Sequence, residues 1–397
     1  MTGPLLIRGG TVITPRGMLR GDLLCDGRAI AAVGPDLVFP GADVLEAGGL
    51  VAGPGFIDVH VHGGGGRTFF SADPANVLAY SAWAPRNGVT AFLVSTGGRD
   101  AAAIEAILGG LRPAFAPADG AEPLGFHLEG PFINPARRGA FDARWLRPPA
   151  GEELARWQAA AGGLIRQLTI APELPGALPV IEAIAASGAI PAMGHTDATA
   201  AEARAGFAAG VRHVTHLFNA MRPLHQREGG PIAAAFLEAG VTCELICDGA
   251  HVSADVLRLA YSILGPGRAI VVTDNLDIAG TSEASSSFGA GSITVSGATA
   301  VRPDGTIVGS VATMDQHFRN ALGFLGLDLA TAFSLCAANP ARIAGAAGRK
   351  GALAIGMDAD VVLLDEASAV VATVCRGRVA YCAEPSRLTG AAAAPEV

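Results

Sequence analysis

His60-x-His62 closes the apolar, β-prone run Gly53-Pro-Gly-Phe-Ile-Asp-Val-His-Val-His62, and four glycines, Gly63 to Gly66, follow it. Residues two apart on a strand share a face, so both imidazoles project together. Two histidines converging where a buried strand opens into a loop can begin a metal site, or can be a satisfied pair in the core. Glu129, His195, His216 and Asp274 decide between these, because each also ends an apolar run. An apolar core does not fill its strand ends with ligating side chains, so the set points to a metal site. Imidazoles with carboxylates suit zinc, and also iron, cobalt or manganese. Four histidines and two carboxylates exceed one tetrahedral shell, which leaves room for one or two divalent ions per subunit. In a two-ion arrangement Glu129 bridges a site at His60/His62 and another at His195/His216. Asp274 is then placed as general base toward water and later as acid toward the leaving group. Taken alone, Asp274 in Thr273-Asp-Asn could equally cap a strand end.

The elements that must hold these residues alternate between strand-like runs and Ala/Leu/Glu/Arg segments of helical period, the pattern of β/α units on a parallel sheet. The runs are 54-62, 89-96, 123-129, 167-172, 189-195, 211-216, 241-247 and 268-274. Eight such runs over this length predict an α/β protein of the (β/α)8 TIM-barrel class, whose chemistry gathers at the C-terminal strand ends. Residues 275-310, with Ser292-Ile-Thr-Val and Asp304-Gly305, read as a hairpin insertion, and helical patterns return around 311-325 and 329-345. Short strands with an Asp26-Gly27 hairpin signal fill 4-50, and strands return at 359-365 and 370-380. Neither end can bury a sheet face alone, so the two are expected to form one small β-sandwich domain. The expected division is 1-52 with 347-397 for that domain and 53-346 for the catalytic barrel.

Composition narrows the function classes. The chain has 397 residues, half of them apolar, a net charge of -8 and a pI near 5.6. That balance argues against a nucleic-acid or anionic-membrane partner and leaves room for a local cationic pocket. Six cysteines without a CxxC pair fit free thiols in a reducing cytoplasm. Neither a signal-peptide pattern nor a long charge-free apolar run is present.

Longer motifs carry a resemblance. Pro54-Gly-Phe-Ile-Asp-Val-His-Val-His-Gly63, His127-Leu-Glu-Gly-Pro-Phe132, Gly194-His-Thr196, Thr215-His-Leu-Phe-Asn-Ala-Met221, Asp248-Gly-Ala-His-Val252, Thr273-Asp274 and Gly309-Ser310 run through nearly the whole chain. Together they resemble the amidohydrolase superfamily and, within it, the N-acetylglucosamine-6-phosphate deacetylases. The resemblance implies a cytoplasmic, dimeric enzyme that removes acetate from a phosphorylated N-acetyl amino sugar. It makes Glu129, His195 and His216 metal ligands and Asp274 the general acid/base. It places Asn219 and Ala220 on the sugar and Arg227 and His251 on the phosphate, with His251 expected to serve the neighbouring subunit. An arginine offers phosphate a bidentate fork, and a histidine adds a further donor. Some members keep one metal by replacing the HxH histidines; His60 and His62 imply two.

Two departures stand out. The family's histidine after Lys-Gly-x, which touches the acyl carbonyl, is replaced in Arg138-Gly-Ala-Phe141 by Phe141, which cannot donate that hydrogen bond. Its Thr-Asp-Ala becomes Thr273-Asp-Asn-Leu-Asp-Ile-Ala-Gly280. Both leave the acyl group and the sugar epimer open. The alternatives are a deacetylase of another amino sugar such as N-acetylgalactosamine-6-phosphate, another amidohydrolase, or a non-catalytic sugar-phosphate binder. Arg227, His251 and the Thr215–Met221 block speak against cyclic-amide hydrolases, and an intact Asp274 speaks against a binder. His127 is open between layer filling and support of a ligand. His213 faces away from His216 and reads as structural. His225 reads equally as a phosphate neighbour or a solvated loop residue. Cys243 and Cys247 read as core thiols. Gly63 to Gly66 lack the Lys-Ser/Thr of a phosphate loop and read as a flexible turn.

Overall fold

A computed structural model of the chain describes residues 3–115, 119–288 and 291–389. Eight parallel strands form its centre: β1 (Phe56–Asp58), β2 (Val89–Gly97), β3 (Glu122–Glu129), β4 (Ile165–Ile170), β5 (Ile190–Met193), β6 (His213–Val214), β7 (Thr242–Ile246) and β8 (Ala269–Val272). Each pairs with its sequence neighbour, as repeated right-handed β/α crossovers require. The eight expected runs are these strands. β2 is buried at every residue, which is why Val89-Thr-Ala-Phe-Leu-Val-Ser-Thr-Gly reads as a near-continuous apolar run without alternation.

The barrel closes between β1 and β8, just beyond their ends. The Asp274 N–H donates to the His60 carbonyl at 2.9 Å, and the His62 N–H to the Asn275 carbonyl at 2.8 Å. Below this seam the Thr273 hydroxyl donates to buried Asp58 at 2.6 Å. The ring of hydrogen bonds is thus completed by the backbone of His60, His62 and Asp274, three of the residues expected to carry the chemistry.

Helices follow the strands on the outside, and their ends are capped as the sequence allows. Asp100 caps Ala101–Leu111, and Thr199 with Glu202 forms a capping box on Ala200–Ala209. Their apolar faces pack with the outward faces of the strands into the main core, around Phe92, Phe126, Trp157 and Phe318.

A nine-stranded sheet takes strands from both chain ends and encloses a separate apolar cluster that includes Leu5, Leu23, Leu45, Val361 and Val374. The sandwich expected there is hydrogen-bonded as one branched sheet. The strand Leu5–Thr14 pairs Asp43–Glu46 through its first half and Val51–Pro54 through its second. That strand runs ten residues where short strands were expected, with an irregularity between Ile7 and Gly10. Val51–Pro54 pairs antiparallel with Val361–Leu364, so the expected run 54-62 changes partners between Pro54 and Phe56. The Gly55 N–H bonds the Asp360 carbonyl and the Phe56 N–H bonds the Gly88 carbonyl, which fixes the changeover.

The insertion after β8 is a four-stranded antiparallel sheet (Ser285–Phe288, Gly291–Ser296, Thr299–Val301, Ile307–Ser310), larger than the expected hairpin. The four glycines after His62 are also more ordered than a flexible turn. Gly63–Gly64 pairs with Arg67–Thr68, and the N–H groups of Gly65 and Gly66 bond the carbonyls of Ala279 and Asp277. A Cβ on Gly63 would meet the Arg67 carbonyl at 2.0 Å at a φ of +152°, so glycine is required by close approach. Among the described residues, no helix is long and apolar enough to cross a membrane.

Candidate metal centre and substrate cavity

His60 and His62 leave β1, Glu129 ends β3, and His195, His216 and Asp274 follow β5, β6 and β8, all at the C-terminal rim. The last three have left-handed backbones, with φ of 48°, 29° and 53°. Such conformations are disfavoured for side chains with a Cβ and persist where surrounding structure holds them. His195 is held by a bond from Asn134 N–H to its carbonyl, and Asp274 by bonds through its own N–H and carbonyl, to His60 and Ser310.

The six side chains form two groups. His60, His62 and Asp274 bring one ligand atom each within 4.8 Å of one another, and so do Glu129, His195 and His216. Glu129 connects them. Its Oε1 lies 2.9 Å from the Nε2 atoms of His195 and His216, and its Oε2 lies 3.1 Å from His62 Nε2. Asp274 Oδ1 is 3.4 Å from Nε2 of both His60 and His62.

These residues fit metal ions by the chemistry of their donors. The Nδ1 atoms of His62 and His195 face the carbonyls of Ser95 and Arg137, at 3.1 and 2.9 Å. A carbonyl only accepts, so the proton of each neutral ring sits on Nδ1 and a lone pair on Nε2. His60 Nδ1 likewise faces the Glu244 carboxylate at 2.8 Å. The Nε2 atoms then point at one another, 3.3 Å apart for His60 and His62 and 3.0 Å for His195 and His216. Lone pairs and carboxylates converging in a buried space call for positive charge. Without an ion, that demand falls on protons. Burial pulls the His62 ring down, but its bonds to Asp274 and Glu129 outweigh burial and push it up to about 9. Burial pushes Glu129 up, and the surrounding histidines outweigh it, holding the carboxyl well below its usual range. Asp274 is lowered in the same way, chiefly by His60 and His62 against burial.

Glu244, which the sequence reading passed over, supports this centre from β7. It is fully buried and accepts four hydrogen bonds: from His60 Nδ1, the His216 backbone N–H, Gln167 Nε2 and His213 Nε2, all at 2.8–2.9 Å. Burial pushes it up, and His60 and His213 outweigh that and hold it well below the carboxylate range. The available signal was a charged residue in the middle of the apolar run Thr242-Cys-Glu-Leu-Ile. His213 is therefore structural and also orients the carboxylate that orients His60. His127 bonds Ser95 and Thr169 at 3.0 and 2.8 Å and sets its ring edge against His60, 4.5 Å between centroids. Both its ring nitrogens are spent on these hydroxyls, so it packs beside the candidate ligands and offers no free nitrogen to the centre. Cys243 and Cys247 are buried free thiols, as expected.

A cavity of 230 Å³ opens over the centre. Asn219, Ala220 and His251 line it together with Phe141 and every member of the two groups except His60. Asn219 Nδ2 donates to the His216 and Leu217 carbonyls, and Ala220 has a left-handed φ of 51°. His251 Nδ1 bonds Asp248 Oδ2 at 2.6 Å. His251 lines its own chain's cavity, whereas Arg227 sits on an exposed loop outside the cavity lining. The loop beginning at Arg222 turns away, tied by Arg222 to Asp197. His225 is exposed on that loop, with Nδ1 accepting from the Arg227 N–H.

A (β/α)8 barrel with histidines and carboxylates paired at its C-terminal rim defines a metal-dependent hydrolase type of site. Residues 51–380 match the model of the amidohydrolase family. The N-acetylglucosamine-6-phosphate deacetylase of Bacillus subtilis is 37% identical over 83% of this chain and 84% of its own length. The deacetylase of Homo sapiens is 31% identical over 96% of this chain and 92% of its own. A solved structure of a deacetylase variant from Mycobacterium smegmatis, in complex with N-acetyl-D-glucosamine-6-phosphate, superposes with a TM-score of 0.90. It is 35% identical and covers 95% of this chain and 99% of that one. The chain belongs to the amidohydrolase family, among the N-acetylglucosamine-6-phosphate deacetylases.

Proposed function

We infer that the chain hydrolyses the N-acetyl group of N-acetylglucosamine-6-phosphate, giving glucosamine-6-phosphate and acetate. The observation that carries this reading is Glu129 set between two histidine pairs with Asp274 beside them, under a cavity lined by Asn219, Ala220 and His251. His60, His62 and Asp274 would hold one divalent ion, and His195 and His216 a second, with Glu129 offering an oxygen to each. Zinc matches this donor set best. Bound there, such an ion supplies Lewis-acid polarisation and makes water a stronger acid. Asp274, held below its ordinary range, is charged at neutral pH and accepts the proton of the attacking water. It then returns that proton to the departing amine nitrogen. Phe141, with its ring edge on His195 at 5.3 Å between centroids, excludes water and offers the acyl oxygen no donor.

Asn219 and Ala220 are assigned to the sugar and His251, oriented by Asp248, to the phosphate. Arg227 is assigned to the phosphate of a neighbouring copy's cavity, which makes the working unit a homodimer. Six free cysteines fit a cytoplasmic enzyme. Acetate release by zinc-loaded protein tests the reading, with the galacto epimer and the unphosphorylated sugar run alongside. Turnover of the phosphorylated gluco sugar above both is expected. No turnover of it with metal bound would overturn the assignment.

A further inference from the structure

Beyond the catalytic cavity lies a larger one of 500 Å³, and the two share Ala140, Phe141 and Phe288 as a common wall. The wall is aromatic. Phe288 stands edge-on to Phe70 at 5.1 Å and 6.2 Å from Phe141, while Phe70 stacks on the ligand His62 at 5.1 Å. The larger chamber is cationic. Arg99, Arg138, Arg144 and Arg302 line it with one carboxylate, Asp142, in a chain whose net charge is -8. Arg144 is paired with Asp142. Arg138 and Arg302 each spend one N–H on a backbone carbonyl of the Ala140–Phe141 wall, at 2.7 Å. Among the described residues, Arg99 makes no side-chain hydrogen bond or ion pair, and Arg302 makes only the bond to the Ala140 carbonyl. Planar guanidinium groups left with open donors beside an apolar wall are built to receive a carboxylate.

We propose that this chamber is an acyl-side subsite for a carboxylate carried on the N-acyl group, so that the enzyme also hydrolyses N-acyl amino-sugar phosphates whose acyl chain ends in an acid, such as N-succinyl. The inference rests on the deacetylase reading. With the sugar phosphate on Asn219, Ala220 and His251, the group beyond the scissile carbonyl faces the aromatic wall. Its methylenes pack against Phe141 and Phe288, and its carboxylate reaches Arg99 and Arg302. The reaction balances as before. The water oxygen bonds to the carbonyl carbon, the C–N bond breaks, the nitrogen takes a proton, and the products are the free amine and the dicarboxylate.

The test compares N-succinyl-glucosamine-6-phosphate with its neutral succinamyl isostere, and uses N-acetylglucosamine-6-phosphate as reference. Zinc-loaded wild type is assayed for kcat/KM, and zinc-loaded Asp274→Asn protein is titrated calorimetrically, a binding readout that needs no turnover. The acid is expected to bind and react at least tenfold better than the isostere. Arg99→Gln and Arg302→Gln should each erase most of that ratio. Equal binding of acid and isostere, or a ratio indifferent to both arginines, overturns the proposal, even with N-acetyl turnover intact. Absence of N-acetyl turnover by wild type counts against the deacetylase reading, while the calorimetric ratio still decides the subsite.

Discussion

Replacing Glu244 with glutamine keeps the volume of a fully buried side chain and removes its charge. Of its four donors, Gln167 can turn over, and His213 can move its proton to Nδ1, where the Thr242 hydroxyl lies at 2.7 Å and can accept. The His216 backbone N–H and the His60 ring cannot adapt in this way, so the new amide must present its single oxygen to them. Even in that best case, the His60 Nδ1–H exchanges an ionised acceptor for a neutral one. Bonds to charged groups contribute roughly 1.5–3 kcal/mol against 0.5–1.5 for neutral pairs, a difference of about 1–1.5 kcal/mol. That corresponds to about tenfold in affinity, the lower end of the roughly 10–100-fold found for partners of metal-bound histidines. Competition of Glu244→Gln with a zinc chelator should show about tenfold weaker binding. Acetate release, low at limiting zinc, should recover with excess zinc. Unchanged zinc affinity with full activity at limiting zinc would refute the role assigned to Glu244.

Asp274→Asn should lower kcat by about 10²–10⁴-fold while substrate still binds, measured by acetate release and calorimetry; a loss under tenfold would remove Asp274 as the proton carrier. Gly97→Ala places a Cβ 2.2 Å from the Glu129 carbonyl at a φ of +149°. It should destabilise the fold by about 1–3 kcal/mol in urea unfolding and weaken metal binding through Glu129; an unchanged midpoint would contradict that packing. At the opposite end of the barrel, Glu122 meets Arg349 and Lys350, and although burial pushes its carboxyl up, these cations lower it to about 2. A depressed folded-state value contributes stability above the unfolded pKa near 4.5, which is lost as pH falls toward about 2. Melting temperature followed from pH 5 to pH 2.5 should therefore decline less steeply in Glu122→Gln than in wild type; parallel curves would count against the pairing. Finally, mixing Arg227→Ala with Asp274→Asn chains should restore about a quarter of wild-type activity, because half the dimers would each hold one complete site. No recovery after subunit exchange would place Arg227 outside the neighbour's cavity.

Strand positions were legible because each barrel strand lies in a largely apolar, buried run, and the six candidate ligands stood out because they gather at the C-terminal ends of those runs. What escaped the sequence depended on partners far along the chain. Val51–Pro54 and Phe56–Asp58 form one extended run, and only Val361–Leu364 on one side and β2 on the other divide it. Glu244 carries no spacing motif, and its meaning comes from His60 and His213 on other strands. The glycines after His62 resembled a loose turn because their partners, Asp277 and Ala279, lie beyond β8. The direction of Arg227 is set by a loop with no periodicity to read.

The closing seam explains why the chemistry sits where the barrel is completed. β1 and β8 are joined by backbone bonds of His60, His62 and Asp274, so the side chains of one group emerge from the hydrogen bonds that finish the ring. A left-handed turn at Asp274 redirects its carboxylate to both histidines, and Thr273 anchors the preceding residue to Asp58. The strain of that turn, on the order of 1–3 kcal/mol, is offset by bonds the barrel needs in any case. Relaxing it would open the seam. The carboxylate assigned to proton transfer is therefore held by closure of the fold itself.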